Sequence, residues 1–161
     1  MIVEPAVYTF QSIGKAADAW RADGLAIVFT NGCFDLIHTG HIRYLKEARN
    51  LGDLLIVGVN TDESVRKLKG DDRPITTLAD RLEVLLSLRW VNAVVPFSEP
   101  TPVELIRQIR PHVLVKGGDW SPEKIAGREI VESFGGETVS VPFHEGVSTT
   151  DIIRQIKSTD R

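Results

Sequence analysis

Two histidines three residues apart around a glycine, His38-Thr39-Gly40-His41, are the part of this sequence best suited to chemistry on an anion. They follow an apolar run and a turn, Thr30-Asn31-Gly32-Cys33-Phe34-Asp35, and they precede a stretch with helical periodicity. A strand ending in such a turn delivers both imidazoles to the first turn of a helix, where free amides and the positive end of the dipole attract negative charge. Gly40 leaves room for a phosphate to approach the backbone. His38 and His41 can then donate to oxygens that gain charge in a transition state, stabilising it more than the ground state. Zinc would need further ligands and Cys33 is the single cysteine, so no residue is assigned to a protein-held metal.

Two more clusters have the same character. Lys116-Gly117-Gly118-Asp119-Trp120 combines a cation for phosphate, paired glycines for close backbone approach, a carboxylate for hydroxyls and an aromatic plane for stacking. Its bland reading is a glycine turn with a solvated lysine and a core tryptophan. Glu145-Gly146-Val147-Ser148-Thr149-Thr150 sets three hydroxyls before a helical stretch, a second helix-start anion site; its bland reading is an elaborate N-cap. Arg81, Lys46, Lys69 and Arg73 complete the supply of cations, and any one of them alone reads as a solvated surface charge.

The elements that must position these residues alternate. Short apolar, β-branched runs at 25–30, 54–59, 91–97, 112–115 and 138–141 read as buried parallel strands. Helical periodicity covers 41–50, 62–68, 78–89, 102–109 and 150–157. Thr61 before Asp62-Glu63, and Thr101 before Pro102-Val103-Glu104, read as helix N-caps. The fold class is therefore α/β, a Rossmann-like parallel sheet with helices on both faces, and ligands are expected at the carboxyl ends of the strands. Residues 1–24 read as an N-terminal extension with a helix over 13–21, and 25–161 as the single catalytic domain. The charged segment 69–77, closed by Arg73-Pro74, has the composition of a mobile loop and is a candidate lid.

Composition narrows the partners. The formal net charge is −3 over 161 residues, against a surface built for nucleic acid, so anions must be met by local positive groups. A single cysteine asks for no oxidising compartment, and neither a basic, apolar leader nor a run of about 18 apolar residues is visible; the expectation is a cytoplasmic protein without membrane contact. Base rates favour a homodimer.

Taken in order, Thr30–Asp35 with the histidine motif, 54–60, Arg81, Lys116–Trp120 and Ser148–Thr150 resemble the cytidylyltransferase-like branch of the HxGH nucleotidyltransferase superfamily. Lys67-Leu68-Lys69-Gly70-Asp71-Asp72-Arg73-Pro74, 116–127 and Asp151-Ile152-Ile153 are similar to the bacterial heptose 1-phosphate adenylyltransferases within it. The resemblance implies Mg²⁺-dependent transfer of AMP from ATP to a sugar 1-phosphate, giving an ADP-sugar for lipopolysaccharide or surface glycan precursors, and pyrophosphate. It assigns catalytic roles to His38, His41, Lys116 and Arg81. Thr30, Asn31, Gly32, Phe34, Gly40, Gly117, Asp119, Trp120, Ser148, Thr149 and Thr150 would hold the nucleotide, and Asp35, Lys46, Lys69 and Arg73 the acceptor. A phosphate monoester is mostly dianionic at neutral pH, so such a nucleophile needs no general base.

The resemblance also implies a separate sugar kinase and a phosphatase in the same pathway. A CTP-dependent transferase acting on glycerol 3-phosphate or another polyol phosphate is the enzymatic alternative. Phe143-His144 stands where those enzymes usually carry Arg-Thr. A nucleotide-sensing module without turnover is the non-enzymatic alternative, against which the intact histidine pair argues.

Overall fold

The computed structural model describes residues 3–118, 120–142 and 148–159. Six parallel strands form one sheet in the order β1-β4-β3-β2-β5-β6: β1 Ala6–Val7, β2 Ile27–Gly32, β3 Leu54–Asn60, β4 Ala93–Phe97, β5 Val113–Gly117 and β6 Glu137–Val141. The α-helices are α1 Phe10–Ala22, α2 Thr39–Arg49, α3 Asp62–Lys69, α4 Leu78–Leu86, α5 Val103–Ile109, α6 Arg128–Ser133 and α7 Thr149–Thr159, with a short 3₁₀ turn at Pro122–Lys124. The α/β reading of the sequence is what the chain adopts.

Alternation along the strands divides the core into two layers. Ile27, Phe29, Leu54 and Ile56 pack on one face with Trp20 of α1, Ile106 of α5 and Val131 of α6. Val28, Leu55, Val57 and Val94 pack on the other with Leu45 of α2 and Leu85 of α4. Each fully buried aliphatic side chain contributes about 1.5–3 kcal/mol by leaving water. Residues 3–24 share in this core: Ala6 and Val7 pair with Ala93 and Val94, and Ile13, Ala17 and Trp20 are buried. Among the described residues no helix is long and apolar enough to cross a membrane.

Several element boundaries differ from expectation for local reasons. Thr101 does not cap α5; Pro102 occupies the N-cap position and its carbonyl accepts from Ile106, so the hydroxyl lies one residue outside the helix. The helix expected to reach residue 89 ends at Leu86, where the Ser87 hydroxyl and amide both bond the Glu83 carbonyl. Strand β4 begins at Ala93 because Asn92 before it spends its side chain on the Leu55 amide, 2.9 Å away. Thr61 caps α3 as expected, accepting from the Ser64 amide.

The strand order fixes where ligands can go. The chain lays β3 and then β4 on one side of β2 and crosses to place β5 on the other side. That reversal opens a crevice beyond the carboxyl ends of β2 and β5. Asn31 and Gly32 close β2 there, and Lys116 and Gly117 close β5.

Candidate active site

His38 is the N-cap of α2. Its Nδ1 accepts from the Gly40 amide at 3.1 Å, so in the neutral ring the proton resides on Nε2, which becomes a fixed donor. His41, one turn on, stacks against it with ring centroids 3.9 Å apart, and the Phe34 ring lies 5.4 Å from His41 on another side. Burial, followed by the neighbouring His38, pushes the His41 pKa down to about 4, and burial lowers that of His38. Both rings are therefore neutral at pH 7. The His41 Nδ1 is buried and has no partner among the described residues.

Lys116 crosses the crevice from β5, its Nζ 3.4 Å from the Asn31 Oδ1. Burial lowers its pKa from the usual lysine range. The third cluster reaches the same place: the Thr149 hydroxyl at the start of α7 donates to the Leu36 carbonyl at 3.1 Å, two residues before His38. The three motifs, with Leu36 and Thr149 113 residues apart in sequence, thus meet around one turn.

Other expected site residues have internal duties. Thr30 is fully buried, and its hydroxyl bonds that of Tyr44, which also donates to the Val115 carbonyl at 3.2 Å. It ties α2 to the sheet rather than lining the crevice. Gly32 is needed for close packing, since a Cβ there would lie 3.0 Å from the Phe34 ring. Arg81 is 1% exposed; it donates to the Cys33 carbonyl and, at 2.8 Å, to Asp62. It braces the histidine turn from α4. Ser148 caps α7, accepting from the Asp151 amide, which is the bland role considered for it; Thr150 is exposed.

Asp35 is also inward-facing. Its carboxylate accepts from Arg73 Nε at 2.6 Å, from the Ile75 and Thr76 amides and from the Thr76 hydroxyl, which together hold its pKa below the usual value despite burial. The 69–77 segment is thereby fastened to the turn that carries the histidines. Lys69 ends α3 and, with Arg81 and Arg73, exerts a positive field on the half-buried Cys33 thiol, whose pKa burial nevertheless raises. Lys46 is not brought to the site: it sits eight residues along α2 from His38, about 12 Å down the axis at 1.5 Å per residue. Trp120 is 45% exposed and its Nε1 donates to the Gly117 carbonyl at 3.0 Å. Asp119, Phe143, His144, Glu145 and Gly146 lie outside the described residues.

The sequence reading overlooked Tyr44 and assigned Asp62 only a helix-start role. Asp62 is the acidic partner of a buried arginine, a relationship between residues 19 apart for which no local pattern exists.

Residues 29–155 match the model of the cytidylyltransferase-like family. The chain belongs to that family. It is a nucleotidyltransferase domain. It is 52% identical over 139 residues, 86% of its length, to the bifunctional protein HldE of Pelobacter propionicus, and 52% identical over 145 residues to that of Actinobacillus pleuropneumoniae. It spans only 28% and 30% of those two relatives. Among solved structures, a lipopolysaccharide core biosynthesis protein from Thermoplasma volcanium superposes with a TM-score of 0.63 at 26% identity, covering 77% of this chain and all of that one. A pantoate-beta-alanine ligase from Francisella tularensis shares the fold, with a TM-score of 0.66 at 15% identity over 95% of this chain and 77% of that one.

Proposed function

We infer that this domain transfers AMP from ATP to a sugar 1-phosphate, with heptose 1-phosphate as the acceptor, and releases pyrophosphate. The observation that carries the reading is the neutral, stacked His38–His41 pair at the start of α2, with an unsatisfied ring nitrogen beside it and Lys116 opposite. The names of the HldE relatives and of the Thermoplasma lipopolysaccharide protein support the sugar acceptor.

The chemistry follows from the geometry. An oxygen of the acceptor's phosphate attacks the α-phosphorus of ATP; the new P–O bond forms as the α–β bridge breaks, and its electron pair departs on pyrophosphate. Negative charge grows on the non-bridging and leaving oxygens, where neutral imidazole donors and Lys116 are stronger in the transition state than in the ground state. The free amides at the start of α7 receive the β- and γ-phosphates.

Mg²⁺ fits this donor set. Two neutral histidines and one lysine leave most of the triphosphate charge uncompensated, and among the described residues no three acidic, histidine or cysteine side chains converge on a point. The ion would therefore be held by phosphate oxygens and water, and when bound it supplies charge neutralisation and a fixed triphosphate geometry.

Pyrophosphate release tests the reading, with ATP, CTP, GTP and UTP each crossed with heptose 1-phosphate, hexose 1-phosphates and glycerol 3-phosphate. A dominant signal for ATP with heptose 1-phosphate is expected. CTP with glycerol 3-phosphate as the productive pair would overturn the substrate assignment and keep the chemistry.

A further inference from the structure

The ladder between β2 and β5 is short. It pairs Val28 with Val113 and Phe29 with Leu114, although β2 runs on to Gly32 and β5 to Gly117. Beyond Leu114, β5 keeps its ladder to the edge strand β6 alone. The two central strands therefore part at Thr30 and Val115, where the crevice opens. The residues that follow these two, Asn31 and Lys116, are the ones whose side chains meet across it, with Nζ 3.4 Å from Oδ1.

One side chain spans the fork. Tyr44 of α2 is 5% exposed; its hydroxyl meets the Thr30 hydroxyl on β2 and donates to the Val115 carbonyl on β5 at 3.2 Å. A phenol has one proton and a carbonyl only accepts, so the Thr30 hydroxyl is the donor in its bond with Tyr44. Burial pushes the Tyr44 pKa up to about 12, and the phenol keeps that proton throughout the neutral range. Along α2, Tyr44 stands three residues after His41, on the same side of the helix. A single hydroxyl thus joins the helix that carries the histidines to the residue before Asn31 in β2 and to the residue before Lys116 in β5.

We propose that Tyr44 is a positioning residue for the transfer, its hydroxyl closing the fork between β2 and β5 so that Lys116 is held at a fixed distance from the His38–His41 pair. The proposal rests on the transferase reading above. Buried in the core beside Leu45 and Val115, Tyr44 acts through Lys116 rather than by contact with substrate. Packing needs its ring and the reaction needs its hydroxyl. Donors that must converge on the charge growing around one phosphorus lose much of their effect when one of them is displaced by an ångström.

The test compares the wild-type chain with Tyr44→Phe, which keeps the ring, using Mg-ATP and heptose 1-phosphate or whichever pair of the substrate panel above turns over. Tyr44→Phe is expected to lower kcat by about 10–100-fold while both KM values stay within about threefold. Acetylation of Lys116 by acetic anhydride, read by mass spectrometry without substrates, should be at least about fivefold faster than in the wild type, because labelling follows the opening of the fork. The exposed Lys46 is the internal control and should label at an unchanged rate. Thr30→Val removes the other hydroxyl of the pair from outside α2 and should behave like Tyr44→Phe, which keeps the test open if that variant fails to fold; Thr30→Ser restores the hydroxyl and should restore the rate. Ile13→Val, a core change on the far face of the sheet, controls for lost stability and should leave both kcat and Lys116 labelling as they are in the wild type. A kcat within about twofold of wild type in Tyr44→Phe and Thr30→Val overturns the proposal and leaves the transferase reading intact. So does a fall in kcat without faster labelling of Lys116, or an equal fall in Ile13→Val. No wild-type turnover with any pair of the panel overturns both.

Discussion

The imidazoles of His38 and His41 stack with centroids 3.9 Å apart and planes inclined by 36°, and the first of them caps the helix that carries the second. Two protonated rings at that distance would repel, so the arrangement is stable as a neutral pair. Neutral rings donate hydrogen bonds without trapping the substrate's phosphate in a ground-state ion pair, which suits a step whose charge develops late.

Removing either donor should therefore be a catalytic lesion. His38→Ala and His41→Ala are each expected to lower kcat by about 10²–10³ in the pyrophosphate assay. The circular dichroism spectrum should be native in both. His38→Ala also loses the cap on the Gly40 amide, which lowers stability by about 1 kcal/mol. Near-normal rates in both variants would remove the histidines from the chemistry.

The depressed His41 pKa has a direct consequence for stability. Its ordinary value is 6.5 and its folded value about 4, so between those limits the unfolded chain binds more protons than the native one. Stability conferred by the neutral ring is complete above pH 6.5 and is lost as pH falls towards 4. The loss is roughly 2 kcal/mol after allowance for the ring's partial exposure. Asp35, whose pKa is lowered from 3.8, acts in a separate window below that value. Urea midpoints at pH 7.5 and 5 should show the decline in the wild type, and a smaller one in His41→Gln.

Much of this architecture was legible in the sequence, because strand and helix periodicities and the three motif clusters are local patterns. β1 was not, since a two-residue edge strand carries no periodicity, and its pairing with Ala93 and Val94 is a long-range fact. α6, six residues long, lies just past the 116–127 segment that was read for its motif similarity, and is too short to show a periodicity. Within the site, residue types were informative and side-chain direction was not. Thr30, Asp35 and Arg81 carry the right chemistry for substrate contact, yet each is buried against an internal partner. The packing of α2, α4 and the 70–77 segment around the histidine turn decides that.

Arg81 illustrates the difference experimentally. Its Asp62 partner is about one-third exposed, so Arg81→Ala should cost about 3 kcal/mol, at the lower end for breaking a buried pair. Because the guanidinium holds the Cys33 carbonyl, kcat should fall as well, through a displaced histidine turn. Asp62→Asn keeps a hydrogen-bond acceptor for Arg81 and should retain most of both. A full loss of turnover in Arg81→Ala at unchanged urea midpoint would instead mark a direct phosphate contact.

The segment 70–77 is held to the turn at Asp35 by a guanidinium, two amides and a hydroxyl, so one carboxylate determines its position. Asp35→Ala strips away the carboxylate's bonds from all four donors, while the Thr76 hydroxyl can still reach the Asp35 main-chain carbonyl. Trypsin should then cut after Lys67 and Lys69, the Arg73–Pro74 bond being resistant, at rates about tenfold above wild type, since cleavage follows the population of the opened segment. If the segment closes over bound substrates, Mg-ATP with a sugar 1-phosphate should protect those sites in the wild type and fail to protect them in the variant. Equal cleavage of the wild-type chain with and without substrates would make 70–77 a fixed segment instead of a lid.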